Sequence, residues 1–152
     1  MIKFLGLLSK KKKVKPATAA AIYVALLQNV ITEGFIEIKD FINNNNNLEG
    51  TPDLKDTDID WFSNIIFLGN IQRLNVYFEE DEAVKLRSFI LDEVYKELEG
   101  NAQHLAIERF LDYESYFKDL LEKHESPINA MAIGIFEKYN INDFQGTLFK
   151  RK

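Results

Sequence analysis

The sequence predicts an all-α protein that folds as a compact, single-domain bundle of about five helices. The chain has 152 residues, of which 46% are hydrophobic and 28% charged, so it can bury one globular core without covalent cross-links. Its apolar residues recur every three or four positions over most of the length, which is the period of an α-helix. Turn-forming residues separate these periodic segments and mark where helices begin and end.

The clearest periodic segment predicts a helix over residues 16–43. Pro16 fits its first turn, because the N–H that proline lacks would have no partner there. Gly34 lies inside the pattern and marks either a bend or a close contact with another helix. The Asn-rich stretch near residues 43–57 then predicts a flexible surface loop. The apolar stripe of the helix consists of Ala20, Val24, Leu27, Ile31, Phe35, Ile38 and Ile42.

A second helix is predicted over residues 58–70, with Thr57 and Asp58 able to cap its first turn. Its apolar residues surround the helix almost completely, which is typical of a central, buried helix. Residues 71–78 fit either a continuation of this helix or a short extended link. The apolar residues on one side are Ile59, Phe62, Ile66 and Gly69, and beside them lie Trp61, Ile65 and Leu68.

A third helix is predicted from the acidic run at residues 79–82, because carboxylates stabilise the positive end of a helix dipole. Gly100 can end this helix in a left-handed cap, and Asn101 can then cap the next one, which reaches about Lys123. The apolar side of the third helix is either Val84, Leu91, Tyr95 and Leu98, or Leu86, Ile90 and Val94. The fourth helix carries Leu105, Ala106, Phe110, Tyr113, Phe117, Leu120 and Leu121.

The last predicted helix begins at Ser126 and Pro127, which combine a capping side chain with a first-turn proline. Its apolar residues are Ile128, Met131, Ile135 and Tyr139. The predicted layout is therefore a leader at residues 1–15, a helical domain at residues 16–149 and a basic tail at residues 150–152.

Charge is strongly segregated along the chain, although the formal net charge is only −5. Residues 1–15 hold six lysines and no acid, and residues 150–152 are all basic. The helical domain therefore holds ten basic residues and all 24 acidic residues, which gives it a charge of −14. Such a domain disfavours nucleic acid as a partner, since phosphates need clustered lysine and arginine. It favours a protein partner of basic charge.

Motifs for catalysis are missing from the sequence. Without cysteine there is no thiolate nucleophile or thiolate metal ligand, and no glycine-rich nucleotide loop or nucleophile elbow occurs. Neither His104 nor His124 has the glutamate three positions earlier that a carboxylate-bridged metal pair needs. We therefore predict no catalytic residue, no cofactor and no metal ligand. His104 and Glu108, spaced by four on one helix, are the weak candidates for a polar site.

The leader, "MIKFLGLLSKKKKVKP", joins a short apolar patch to a run of lysines. This order is the reverse of a secretory signal, and no run approaches the ~18 apolar residues of a membrane-spanning helix. Apolar insertion combined with a polybasic patch is what peripheral membrane anchoring requires. The alternative is that the patch packs on the core while the lysines stay solvated or contact the acidic body. The candidate lipid or polyanion contacts are Phe4, Leu5, Leu8, Lys10, Lys11, Lys12, Lys13 and Lys15.

These observations favour a non-enzymatic interaction module in the cytoplasm, meaning an adaptor, an immunity-type protein or a regulatory partner protein. The first alternative is a peripheral membrane protein tethered through residues 1–15 to anionic lipid, at the inner face of a membrane. The second is an enzyme or small-ligand binder with a pocket between helices. The twelve phenylalanines, six tyrosines and one tryptophan could line such a pocket, although core packing explains most of them.

Overall fold

The computed structural model describes residues 14–124 and 126–146, and in them the chain is an all-α bundle. Two short 3-10 turns precede α2 and follow α6, and the β-type pairing found in these residues is one isolated bridge, between Leu48 and Gln145. The predicted fold class is confirmed, and five of the helices have twelve residues or more. The helices are α1 (Pro16–Asn43), α2 (Ile59–Ile71), the one-turn α3 (Leu74–Tyr77), α4 (Glu80–Tyr95), α5 (Gly100–His124) and α6 (Pro127–Lys138).

Helix α2 lies at the centre of the bundle and packs against α1, α5 and α6. Ile65 and Leu68 have no exposed surface, as expected for a helix that is apolar nearly all round. Trp61, near the start of α2, is 38% exposed, so the helix reaches the surface at that point. The buried residues of α2 are Phe62, Ile65, Phe67, Leu68, Gly69 and Ile71.

Helix α1 packs along α4 and across α2 through the stripe that its spacing predicts. It is continuous through Gly34, where a Cβ atom would lie 3.6 Å from Cζ of Phe62. Gly34 therefore lies at a contact with α2, but the distance is an ordinary van der Waals one and does not require glycine there. The buried residues of α1 are Ala19, Ala20, Val24, Ile31, Phe35 and Ile42, and Leu27 and Ile38 are partly buried against the core.

Two predicted capping roles were wrong. The Asp58 carboxylate accepts the backbone N–H of Lys55 at 2.8 Å, so it closes the 3-10 turn and does not cap α2. Gly100 is left-handed, with φ of +55°, but it begins α5 and does not end α4. Helix α4 stops earlier, at Tyr95, whose carbonyl accepts the N–H of Leu98 in a turn. Asn101 therefore lies inside α5.

The contact between α4 and α5 combines apolar packing with one partly buried ion pair. Leu86 and Ile90 of the second predicted apolar side of α4 are buried, and so is Tyr95 of the first. Val84 and Leu98 of the first side are exposed, so the face toward the core combines parts of both predicted sides. Nη2 of Arg87 donates to Oε2 of Glu114 at 2.7 Å, and Glu114 is buried. The arginine thus neutralises a carboxylate that would be costly to bury alone.

Helix α6 begins as predicted, with Pro127 in its first turn and the N–H of Asn129 donating to Oγ of Ser126 at 3.4 Å. After α6, the Tyr139 hydroxyl accepts the backbone N–H of Phe62 at 2.9 Å and donates to the carbonyl of Asp58. Burial raises the pKa of Tyr139 to about 12, so this hydroxyl stays protonated at neutral pH. It ties the end of α6 to the first turn of α2.

The Asn-rich loop between α1 and α2 is held at its far end by a side chain of α1. Asn43 accepts the N–H of Leu54 at 2.8 Å and donates to the carbonyl of the same residue at 2.9 Å. Leu54 itself is buried. The flexibility predicted for this loop stays a prediction, and residues 1–13 and the basic tail at 150–152 lie outside the described residues.

Two helical glycines provide a matched test of this packing. We expect Gly34→Ala to raise the free energy of unfolding by about 0.5–1 kcal/mol, because alanine favours the helix and the added methyl group meets Phe62 at an ordinary distance. A Cβ atom at Gly69 would overlap Sδ of Met131, and overpacking of this kind costs about 1–3 kcal/mol, so Gly69→Ala should be destabilising. Urea unfolding of both variants measures this difference. Equal stabilisation by the two substitutions would contradict the close packing of α2 on α6.

Candidate functional site

Of the predicted lipid or polyanion contacts, Lys15 belongs to the described part of the chain. Phe4, Leu5, Leu8, Lys10, Lys11, Lys12 and Lys13 lie outside the described residues. Lys15 is described, and it is exposed immediately before the first turn of α1. The lipid role of these residues therefore stays a prediction.

His104 and Glu108 lie close together on an exposed side of α5. Nε2 of His104 is 3.3 Å from Oε1 of Glu108, and both side chains are exposed to solvent. Within residues 14–124 and 126–146, no three histidine, aspartate or glutamate side chains come together in a group able to hold a metal ion. The pair is thus a surface contact between neighbouring turns, worth a few tenths of a kcal/mol (about 0.2–0.5) in a helix.

A surface groove lies where α3 meets the start of α4, and we call it the acidic groove. It encloses about 600 Å³ and is open to solvent. Val76 lines this groove and is 72% exposed, so its side chain is not part of the core of the bundle. The groove is lined by Asn75, Val76, Tyr77, Phe78, Glu79, Glu80 and Glu82.

The carboxylates of the acidic groove have no cationic partner in the described part of the chain. None of the ion pairs there involves Glu79, Glu80 or Glu82. The helix dipole of α4 stabilises negative charge at this end, as the sequence predicts, but it leaves the carboxylate oxygens facing solvent. The groove can therefore accept hydrogen bonds from lysine or arginine side chains.

Tyr77 forms part of the wall of the acidic groove and is held by a neighbour one turn earlier. Nη2 of Arg73 donates to the Tyr77 hydroxyl at 3.1 Å, and the guanidinium carbon lies 5.9 Å from the ring centroid. The groove thus combines a fixed aromatic ring, exposed aliphatic surface and three carboxylates. This chemistry suits binding of a basic, partly apolar segment, since the lining contains no paired nucleophile and base.

Sequence reasoning did not find the acidic groove. It interpreted residues 79–82 as partners of the helix dipole and left residues 71–78 undecided between helix and extended chain. The signal available was the run of four acids directly after an apolar segment without helical period. Only the fold shows that Val76 and Tyr77 turn outward beside these acids.

Helix α1 has a second face, which we call the outer face, formed by Ile22, Leu26 and Val30. These residues are spaced by four and all three are exposed. No charged residue occurs from Pro16 to Thr32. Helix α1 is long and apolar enough to cross a membrane, judged by length and composition alone. Core helices of soluble proteins and signal sequences meet the same criterion. Of the most apolar 18-residue window of α1, 22% is buried. The sequence has no unbroken apolar run here, because polar residues interrupt the segment.

The comparisons with known proteins add no relative to this description. No family model, no curated protein and no solved structure gives a significant match to the chain.

Proposed function

We propose that this protein is a non-enzymatic interaction module of the cytoplasm, acting as an adaptor, an immunity-type protein or a regulatory partner protein. In this proposal it binds a basic, partly apolar segment of another protein in the acidic groove. The observation that carries the proposal is the pairing of three carboxylates that have no cationic partner with exposed apolar surface at residues 75–82.

Electrostatics supports this kind of partner. The charge of −14 over residues 16–149 attracts a basic protein before contact and raises the rate of association at low salt. At the groove, Glu79, Glu80 and Glu82 then supply acceptors within a single turn of α4. Exposed ion pairs contribute about 0.2–1 kcal/mol each, so the three carboxylates together change the affinity by a factor of roughly three to a hundred and fifty.

Apolar contact supplies the specificity that charge lacks. Val76 and Tyr77 are exposed beside the carboxylates and would bury aliphatic or aromatic side chains of the segment. Burying one such side chain contributes about 1.5–3 kcal/mol, which exceeds the contribution of an exposed ion pair. A segment that is only basic should therefore bind less tightly than one with interspersed leucines.

A charge-matched comparison tests the groove. We expect the triple variant Glu79→Gln, Glu80→Gln, Glu82→Gln to bind a labelled peptide of lysine, arginine and leucine about ten-fold more weakly than the unmodified protein. The control, Asp112→Asn, Asp119→Asn, Glu122→Gln, removes the same charge from exposed positions on α5. It should change the affinity by less than about three-fold.

Fluorescence anisotropy at low and physiological salt measures both affinities. If the two triple variants weaken binding equally, the attraction is a property of the overall charge and the groove has no special role. Failure of the peptide to bind the unmodified protein at either salt concentration would contradict the proposal itself.

The outer face of α1 favours a second candidate function, which is peripheral association with an anionic membrane. Ile22, Leu26 and Val30 present apolar surface on a segment without charge, and six lysines lie in the adjoining residues 1–15. Each lysine near an anionic leaflet contributes about 1 kcal/mol, and each partly buried aliphatic side chain adds about as much. The two contributions together are sufficient for peripheral binding.

Vesicle sedimentation tests this second candidate. Replacing Ile22, Leu26 and Val30 with glutamine should reduce binding to anionic vesicles about ten-fold, and deleting residues 1–15 should reduce it further. A matched control replaces three exposed apolar residues on other helices, Val84, Leu111 and Ile128, with glutamine and should leave binding unchanged. Equal loss in both glutamine variants, or no binding by the unmodified protein, would exclude a lipid role for the outer face.

A further inference from the structure

Three aromatic rings surround the ammonium group of Lys138, which lies in the last turn of α6. Its Nζ atom is 4.6 Å from the ring centroid of Trp61, 4.8 Å from that of Tyr113 and 4.3 Å from that of Tyr116. All three distances are within the ~6 Å at which a cation is attracted to a ring face. We call these three rings the aromatic cage.

The aromatic cage is built from two helices whose positions the core fixes. Trp61 comes from α2, and its ring centroid is 3.9 Å from that of Tyr113 on α5. Tyr116 follows one turn later on α5, with its ring at 88° to that of Tyr113. The rings thus form adjoining walls at different inclinations, which suits a rounded cation.

The electrostatics of the cage favour positive charge. Burial raises the pKa of both cage tyrosines well above the ordinary value, so their rings stay neutral and attract a cation through their π faces. Two carboxylates lie close by. The Tyr116 hydroxyl donates to Glu137, and the charge of Asp60 contributes to the raised pKa of Tyr113.

Two features indicate that the cage is more than core packing. The Tyr113 hydroxyl is buried and has no hydrogen-bond partner among the described residues, although its side chain is only 5% exposed. Leaving such a group unpaired is costly, so packing alone gives no reason for a tyrosine here instead of phenylalanine. Lys138 also forms no ion pair in the described part of the chain, and the rings are the contacts that hold its ammonium group.

A primary ammonium is not the cation that best fits such a cage. The lysine ammonium is compact and strongly hydrated, so it gives up hydration among the rings without gaining hydrogen bonds from them. A quaternary ammonium has no N–H groups to leave unpaired and is the cation that aromatic cages recognise. Trp61 is partly exposed, so one wall of the cage reaches the surface, and the flexible lysine side chain can leave the cage.

We propose that Trp61, Tyr113 and Tyr116 form a binding site for a trimethylammonium group, and that Lys138 occupies this site as an internal competitor when no ligand is bound. The group has two chemical sources, a choline-like small molecule or a trimethylated lysine of a protein. The proposal is independent of the acidic groove, since it involves different residues on α2, α5 and α6.

Removing the internal competitor tests the site. Trp61 is the only tryptophan of the chain, so its fluorescence reports directly on the cage. We expect Lys138→Met to bind choline about ten-fold more tightly than the unmodified protein, because the cage is then free of its resident cation. Lys118→Met, which removes an exposed lysine on α5, should leave the affinity unchanged. Adding Tyr116→Leu to the Lys138→Met variant should abolish the saturable response.

The same titration distinguishes the two sources. A peptide with one trimethyllysine, compared with its unmethylated form, is titrated beside choline, with sodium chloride at equal ionic strength as the blank. Tighter binding of the methylated peptide identifies a protein source, and tighter binding of choline identifies a small molecule.

Circular dichroism and urea unfolding establish that each variant is folded, and Lys138→Gln replaces Lys138→Met if the latter is not. A folded Lys138 variant that shows no saturable fluorescence change with either probe would overturn the proposal. So would equal affinities of the variant and the unmodified protein, or a response that survives Tyr116→Leu.

Discussion

The rest of the structure depends on the burial of α2. A helix that is apolar nearly all round has no face to give to water, so other helices must cover it on several sides. Helices α1, α5 and α6 do this. Five large side chains of α2 are buried, and at about 1.5–3 kcal/mol each they contribute on the order of 10 kcal/mol, similar to the entire net stability of a domain of this size. The other helices are therefore arranged so that they exclude water from α2. Gly69 lets α6 approach α2 closely, and Tyr139 joins the end of α6 to the beginning of α2.

The exposed apolar and acidic surfaces consist of residues that do not take part in covering α2. Helix α1 buries one stripe on α2 and α4 and leaves Ile22, Leu26 and Val30 outside. Helix α4 is held by α1, α3 and α5, so its acidic first turn projects beside the exposed residues of α3. Trp61 lies where α2 reaches the surface, and there α5 brings the other two rings of the aromatic cage and α6 brings Lys138. Each surface that we propose as a binding site therefore borders a helix contact that the core fixes, which keeps its side chains in a defined arrangement.

The helices could be predicted from the sequence because their signals are local. The stripe of α1, the complete apolar coverage of α2 and the start of α6 at Ser126 depend on residues within a few turns of one another. The roles of Asp58 and Gly100 could not be predicted, because each residue has two local uses and the surrounding turn decides between them. The candidate sites were still less accessible to prediction. The aromatic cage joins residues 61, 113 and 116 around the ammonium group of residue 138, and the acidic groove requires that Val76 be left uncovered by every other helix. Both features depend on how the helices pack against one another, which local sequence patterns do not show.

Native-state hydrogen exchange of the α2 amides tests most directly whether this helix is the centre of stability. If the bundle is organised around it, the amides of its buried stretch should exchange only when the whole protein unfolds, with an opening free energy equal to that measured by urea unfolding. Amides of α4 and of the first turns of α1 should exchange more readily, since a smaller share of their residues is buried. Exchange of the α2 amides through a local opening about 2 kcal/mol or more below the global value, while α1 and α5 remain protected, would contradict the account.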